Sequence, residues 1–166
     1  MPSPPIGESE SASPPRFVVD QMLGRLTRWL RLLGYDALYA SGMDDAEIAR
    51  LARAQGRVIL TRDMELTRRQ GVVSLLIESQ NLSQQVAQVV RRFAPPPEAT
   101  LSRCPICNCP LEDVDRELVR THVPPYVFAT QERFRHCPAC GRHFWRGTHW
   151  QRISRRLASM SAPGNQ

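Results

Sequence analysis

The chain has 166 residues, 42% of them hydrophobic, with a formal net charge of +6 and a pI near 9.6. That length suits one ordinary domain plus a small appendage, and no run of about 18 apolar residues exists to cross a membrane. All 22 basic residues are Arg, which an Arg-rich codon bias explains. The excess positive charge still favours polyanionic partners, because phosphate contacts release counterions.

Residues 1–15, rich in Pro, Ser and Glu, have neither the basic start nor the apolar centre of a secretory signal and read as a disordered tail. The five cysteines are therefore expected in the reducing cytoplasm, where Cys-x-x-Cys signals metal or redox chemistry rather than a disulfide framework. Arg16-Phe-Val-Val-Asp20 reads as a buried strand ending in an acid. Residues 21–33 then switch to helical spacing, with Met22, Leu26, Leu30 and Leu33 on one face and Gly34 placed to stop the helix. Tyr35 to Ala40 alternates like a second strand. Asp44 and Glu47 have the spacing of a capping box for a helix that ends at Gly56.

Arg57-Val-Ile-Leu-Thr61 is a third apolar strand, followed by Arg62-Asp63 and a short helix to Gln70. Val72 to Ile77 forms a fourth strand, and Asn81 or Ser83 caps a helix carrying Val86, Val89, Val90 and Phe93. This β-α alternation with short loops predicts an α/β domain over residues 16–94, its four-stranded, mainly parallel sheet covered by helices on both faces. Pro95-Pro-Pro97 opens a linker over 95–100. A small cysteine module follows over 101–152, and residues 153–166 form a helical or disordered tail.

Cys104-Pro-Ile-Cys107-Asn108 and Cys137-Pro-Ala-Cys140-Gly141 share one design. Each pair sets two thiolates on a tight turn, and the Asn or Gly that follows tolerates a left-handed backbone. Two such turns supply the four soft ligands of a closed structural zinc site. The alternative, a dithiol redox motif, needs only one pair opening a helix. Cys109 lies outside the turn pattern and reads as a small buried residue, while His136, His143 and His149 are substitute ligands only. The stretch between the pairs is longer than a minimal ribbon and carries an insertion around Pro124-Pro125-Tyr126. Arginines interleave with Phe144, Trp145 and Trp150 after the second pair, either as an RNA-stacking surface or as ribbon core.

Three acids fall where a parallel sheet gathers chemistry, at the carboxyl ends of strands. Asp20 follows strand one, Asp45 lies after strand two beside the capping Asp44, and Asp63 follows strand three. Converging carboxylates repel unless a cation neutralises them, and their hard oxygens select Mg²⁺ or Mn²⁺. Asp44 serves first as the helix cap, and Asp63 also fits a cap for its short helix. Thr61 is placed to support the site, and Glu78 is a further acid at the end of strand four. Arg25, Arg28 and Arg31, spaced i, i+3, i+6, read either as a solvated helix face or, for Arg25 and Arg28, as phosphate clamps; Arg62 is a similar candidate.

Phe17-Val-Val-Asp20-Gln-Met-Leu-Gly-Arg-Leu-Thr-Arg-Trp-Leu-Arg-Leu-Leu-Gly-Tyr-Asp36 and Leu60-Thr-Arg-Asp63 resemble the Mut-seven carboxy-terminal RNase family of PIN-like proteins. The resemblance continues through Cys104-Pro-Ile-Cys107, Val123-Pro-Pro-Tyr126, Cys137-Pro-Ala-Cys140-Gly and Trp145-Arg-Gly-Thr-His-Trp150, and so spans about residues 16–152. It implies a PIN-like domain fused to a zinc ribbon and a metal-dependent ribonuclease with Asp20, Asp45 and Asp63 as its acids. PIN nucleases commonly show four acids, and here only Asp44 and Glu78 stand near for the fourth place. The rival expectations are a non-catalytic RNA- or ribosome-binding module and an adaptor that binds a protein through the ribbon.

Overall fold

The computed structural model describes residues 13–96 and 98–161; most of the expected N-terminal tail and the last five residues lie outside the described residues. Four strands, β1 (Arg16–Val19), β2 (Asp36–Tyr39), β3 (Val58–Thr61) and β4 (Val73–Leu76), form an all-parallel sheet in the order β2-β1-β3-β4. The register sets Val19 beside both Tyr39 and Leu60, so β1 and β3 occupy the centre. Strand alternation then divides the apolar residues between two faces. Phe17, Val19 and Leu60 pack on one side, and Val18 and Ile59 on the other.

Three helices cover the first face: α1 (Gly24–Leu32), α4 (Leu82–Arg92) and α6 (Thr148–Ser161). Leu26 and Leu30 of α1 and Val86 and Val89 of α4 are fully buried there. Each such side chain contributes about 1.5–3 kcal/mol by leaving water. The opposite face is closed by α2 (Asp45–Gln55) and the short α3 (Met64–Thr67), through Ile48, Ala52 and Leu66. As its sequence predicts, α2 opens with a capping box: Asp44 Oδ1 accepts from the Glu47 amide, and Glu47 accepts from the Asp44 amide, both at 2.8 Å.

Beyond the Pro-rich stretch, the chain lies against the first domain. The Leu101 amide donates to the Leu32 carbonyl, and Gly34, at φ +96°, admits the passing backbone where any β-carbon would collide with the Ala99 carbonyl. A three-stranded antiparallel sheet follows, β5 (Glu112–Val114), β6 (Phe134–His136) and β7 (His143–Phe144), in that order. The insertion between the cysteine pairs holds a 3-10 turn (Arg116–Val119) and α5 (Pro125–Thr130), whose Val119, Val123 and Val127 pack on Phe134. Helix α6 then returns to the first domain, where Leu157 and Met160 join the core beneath α1 and α4.

Candidate functional site

The strand order reverses between β1 and β3, because the chain leaves β1 towards β2 and then crosses to β3 on the other side. The crevice outside the carboxyl ends at such a reversal is where open α/β sheets place their sites. Asp20 lies there, buried at 6% exposure, and its Oδ1 accepts from the Gln21 amide at 2.8 Å as the cap of the 3-10 turn Gln21–Leu23. Its Oδ2 accepts from the fully buried Thr61 hydroxyl at 2.7 Å. Thr61 Oγ1 in turn accepts from the Asp63 amide at 2.9 Å. One hydroxyl thus joins the ends of the two central strands and brings Asp20 and Asp63 to the same crevice.

Asp63 also caps α3, with Oδ1 accepting from the Glu65 amide at 2.8 Å. Asp45 begins α2, half-buried, next to the exposed Asp44. Glu78 is exposed just beyond β4. Three carboxylates are not drawn together as tightly as the thiols: among the described residues, the four cysteines are the group of ligand atoms that lie within 4.8 Å of one another. Arg25 is exposed and Arg62 half-buried, and neither makes a hydrogen bond or ion pair with a described residue.

The second candidate site is that thiol group, Cys104, Cys107, Cys137 and Cys140. The two turns have matching backbone bonds. Asn108 N–H donates to Cys104 O and Gly141 N–H to Cys137 O, both at 2.9 Å, while the Cys107 and Cys140 amides point at the first sulfur of each pair. Asn108 and Gly141 are left-handed, at φ 65° and 75°, as the sequence predicts. Four sulfurs about 2.3 Å from one tetrahedral zinc stand about 3.8 Å apart, and Cys104 and Cys140 are separated by 3.9 Å. The donor set therefore fits zinc. Close packing of the thiols splits their titration: desolvation and the neighbouring Cys140 and Cys104 push Cys107 up to about 12, whereas at Cys137 desolvation is outweighed by hydrogen bonds from the Cys140 amide and from Cys109, which bring it down to about 6. Cys109 is only half-buried rather than buried, and its sulfur lies 3.1 Å from that of Cys137, outside the group of four.

Sequence spacing did not reveal how the two parts are joined. Arg31 shares the i, i+3, i+6 spacing of Arg25 and Arg28, yet it is buried at 9% exposure. Its guanidinium donates to the carbonyls of Ala37, Pro105 and Ile106, gripping the first cysteine turn. Asn108 adds a second grip, accepting from the Ala37 amide at 3.0 Å and donating to Asp36 at 2.8 Å. Asp36 also pairs with the buried Arg57 at 2.8 Å. Burial alone would raise the Asp36 carboxyl, but hydrogen bonds from Arg57 and Asn108, with the Arg57 and Arg103 charges, leave it below the ordinary carboxylate value.

Among the described residues, no helix is long and apolar enough to cross a membrane. No solved structure matches the chain. A human protein described as an exonuclease mut-7 homolog is 34% identical over 118 residues, covering 63% of this chain and 14% of that protein. The Mut7-C RNase domain model matches residues 15–157, from β1 through both cysteine turns and into α6. The chain belongs to the Mut7-C RNase domain family.

Proposed function

We propose that this chain is a PIN-like endoribonuclease, dependent on Mg²⁺ or Mn²⁺, whose centre is the crevice between β1 and β3. The observation that carries the reading is the Thr61 hydroxyl joining Asp20 to the Asp63 backbone at the strand reversal. Asp20, Asp45 and Asp63 would hold the ion, with Asp44 assisting through the oxygen not committed to its helix cap. A divalent ion bound there supplies charge neutralisation and an acidified water for attack on a phosphodiester.

The protein's own residues do the rest. Thr61 fixes the Asp20 rotamer so that one carboxylate stays aimed at the crevice although it is nearly water-free. Arg25 and Arg62, without protein partners, are free to orient the phosphates of the strand. The four-cysteine zinc site is structural, and the ribbon it holds extends the basic surface along which RNA binds. A site built of four thiolates suits a reducing compartment, so we infer that the protein works in the cytoplasm.

A second reading, a non-catalytic RNA-binding module, draws on the commitment of Asp44 and Asp63 to helix caps. RNA cleavage in Mn²⁺ by the wild type and by Asp63→Asn, matched for thermal unfolding, separates the two. The enzyme reading requires cleavage by the wild type that the variant loses. Binding without cleavage by either protein supports the module.

A further inference from the structure

A cavity of about 810 Å³ lies away from the acids, where α1, α5, β7 and α6 meet. Its wall joins three stretches of chain that are remote in sequence: Arg28 on α1, Tyr126 on α5, and His143, Trp145, Trp150 and Arg152 from β7 into α6. Among the described residues, no Asp or Glu lines it. Arg28 and Arg152 are exposed and make no hydrogen bond or ion pair with a described residue, so both guanidinium groups have donors to offer. Tyr126, which lines the cavity, is 72% exposed. The wall is closely fitted: Gly147 is buried, and a β-carbon there would meet the Trp145 indole nitrogen at 3.0 Å.

Aromatic faces with unpaired arginines and no acids suit a ligand that is flat, apolar on its faces and anionic along one edge. A nucleobase with its phosphates has that chemistry, and stacking combined with backbone charge is how single strands are held without base pairing. A duplex cannot offer an unstacked base to such a cavity. We infer that this cavity is a subsite for a base of single-stranded RNA, with the exposed Tyr126 stacking the base beside the Trp145 and Trp150 wall and Arg28 and Arg152 holding its flanking phosphates. The inference rests on the chain being an RNA-handling protein but not on its cutting RNA. Arg28 lies on α1, the helix that follows Asp20 and its 3-10 turn.

The test is binding of a fluorescein-labelled oligouridylate ten-mer to the zinc-loaded full chain, read by anisotropy without added Mg²⁺ or Mn²⁺. Tyr126→Ala and Arg152→Gln, both exposed positions, should each weaken binding by about 5- to 100-fold. Arg91→Gln, an exposed change on α4 outside the cavity, should weaken it by less than about 3-fold. Unlabelled oligouridylate should also quench tryptophan emission in the wild type, and double-stranded RNA of equal length should not. Equal binding by wild type, Tyr126→Ala and Arg152→Gln overturns the subsite, as does an equal loss in all three variants, which would mark diffuse charge. Loss of binding in the cavity variants by a wild type that never cuts RNA keeps the subsite and rejects the nuclease. Unchanged binding in those variants by a wild type that cuts does the reverse.

Discussion

Both faces of the parallel sheet are sealed by apolar side chains, with Phe17, Val19 and Leu60 under α1, α4 and α6, and Val18 and Ile59 under α2. The ribbon buries only Val119, Val123, Val127 and Phe134 around one small cluster and relies on four converging thiols for the rest. The first region is held by burial, which needs nothing from outside the chain. The second has little apolar area of its own, and its four thiols are placed where a cation could hold them. Between them lies a polar joint, where Arg31, Asp36, Arg57 and Asn108 bind the first cysteine turn to the edge of the sheet. The comparison teaches that two regions held by different means meet at one polar joint, through the first cysteine turn and the edge strand β2.

Chelation of the ribbon metal should break the comparison most strongly, because structural zinc contributes about 10–16 kcal/mol in small fingers. Hydrogen exchange should then show lost protection over β5–β7 while β1–β4 stay protected. Equal loss in both regions would mean that the sheet depends on the metal too. Asp36→Ala strands the buried Arg57 guanidinium and should cost about 3 kcal/mol in denaturant unfolding, with the loss felt in both regions. Asn108→Gly keeps the left-handed turn but removes the amide bridge, and should cost about 1–3 kcal/mol while leaving zinc stoichiometry intact.

The smallest effect is the pH dependence of the joint. Asp36 has a native pKa below 3.8, so its contribution is complete above pH 3.8 and is lost as pH falls through the depressed native value. Acid titration of stability should show this step in the wild type and a flatter curve in Asp36→Asn. A step of equal size in both proteins would assign the acid sensitivity elsewhere.

The sheet and both cysteine turns were legible because their signals are local. Period-two and period-3.6 apolar spacing, the Asp44–Glu47 box and the Asn108 and Gly141 turns each need only a few neighbouring residues. The joint was not legible, since Arg31 meets carbonyls 74 and 75 residues away and its spacing with Arg25 and Arg28 imitates a solvated helix face. The return of α6 to the first core was hidden for the same reason: Leu157 and Met160 have an amphipathic pattern whose partner no local signal names. Among the acids, strand ends predicted the neighbourhood of Asp20 and Asp63, but the hydroxyl linking them is a contact across 41 residues. Arg28, read from spacing as a helix-face residue or phosphate clamp, lines the cavity between α1 and the ribbon.

The most direct test of the crevice between β1 and β3 is cleavage of a circular single-stranded RNA, which has no ends, in Mn²⁺ by the zinc-loaded full chain. Asp20→Asn and Asp63→Asn serve as comparisons, each checked for an unchanged unfolding midpoint. The account predicts linearisation by the wild type and a loss of at least about 100-fold in either variant. Linearisation at the wild-type rate by both variants would contradict it.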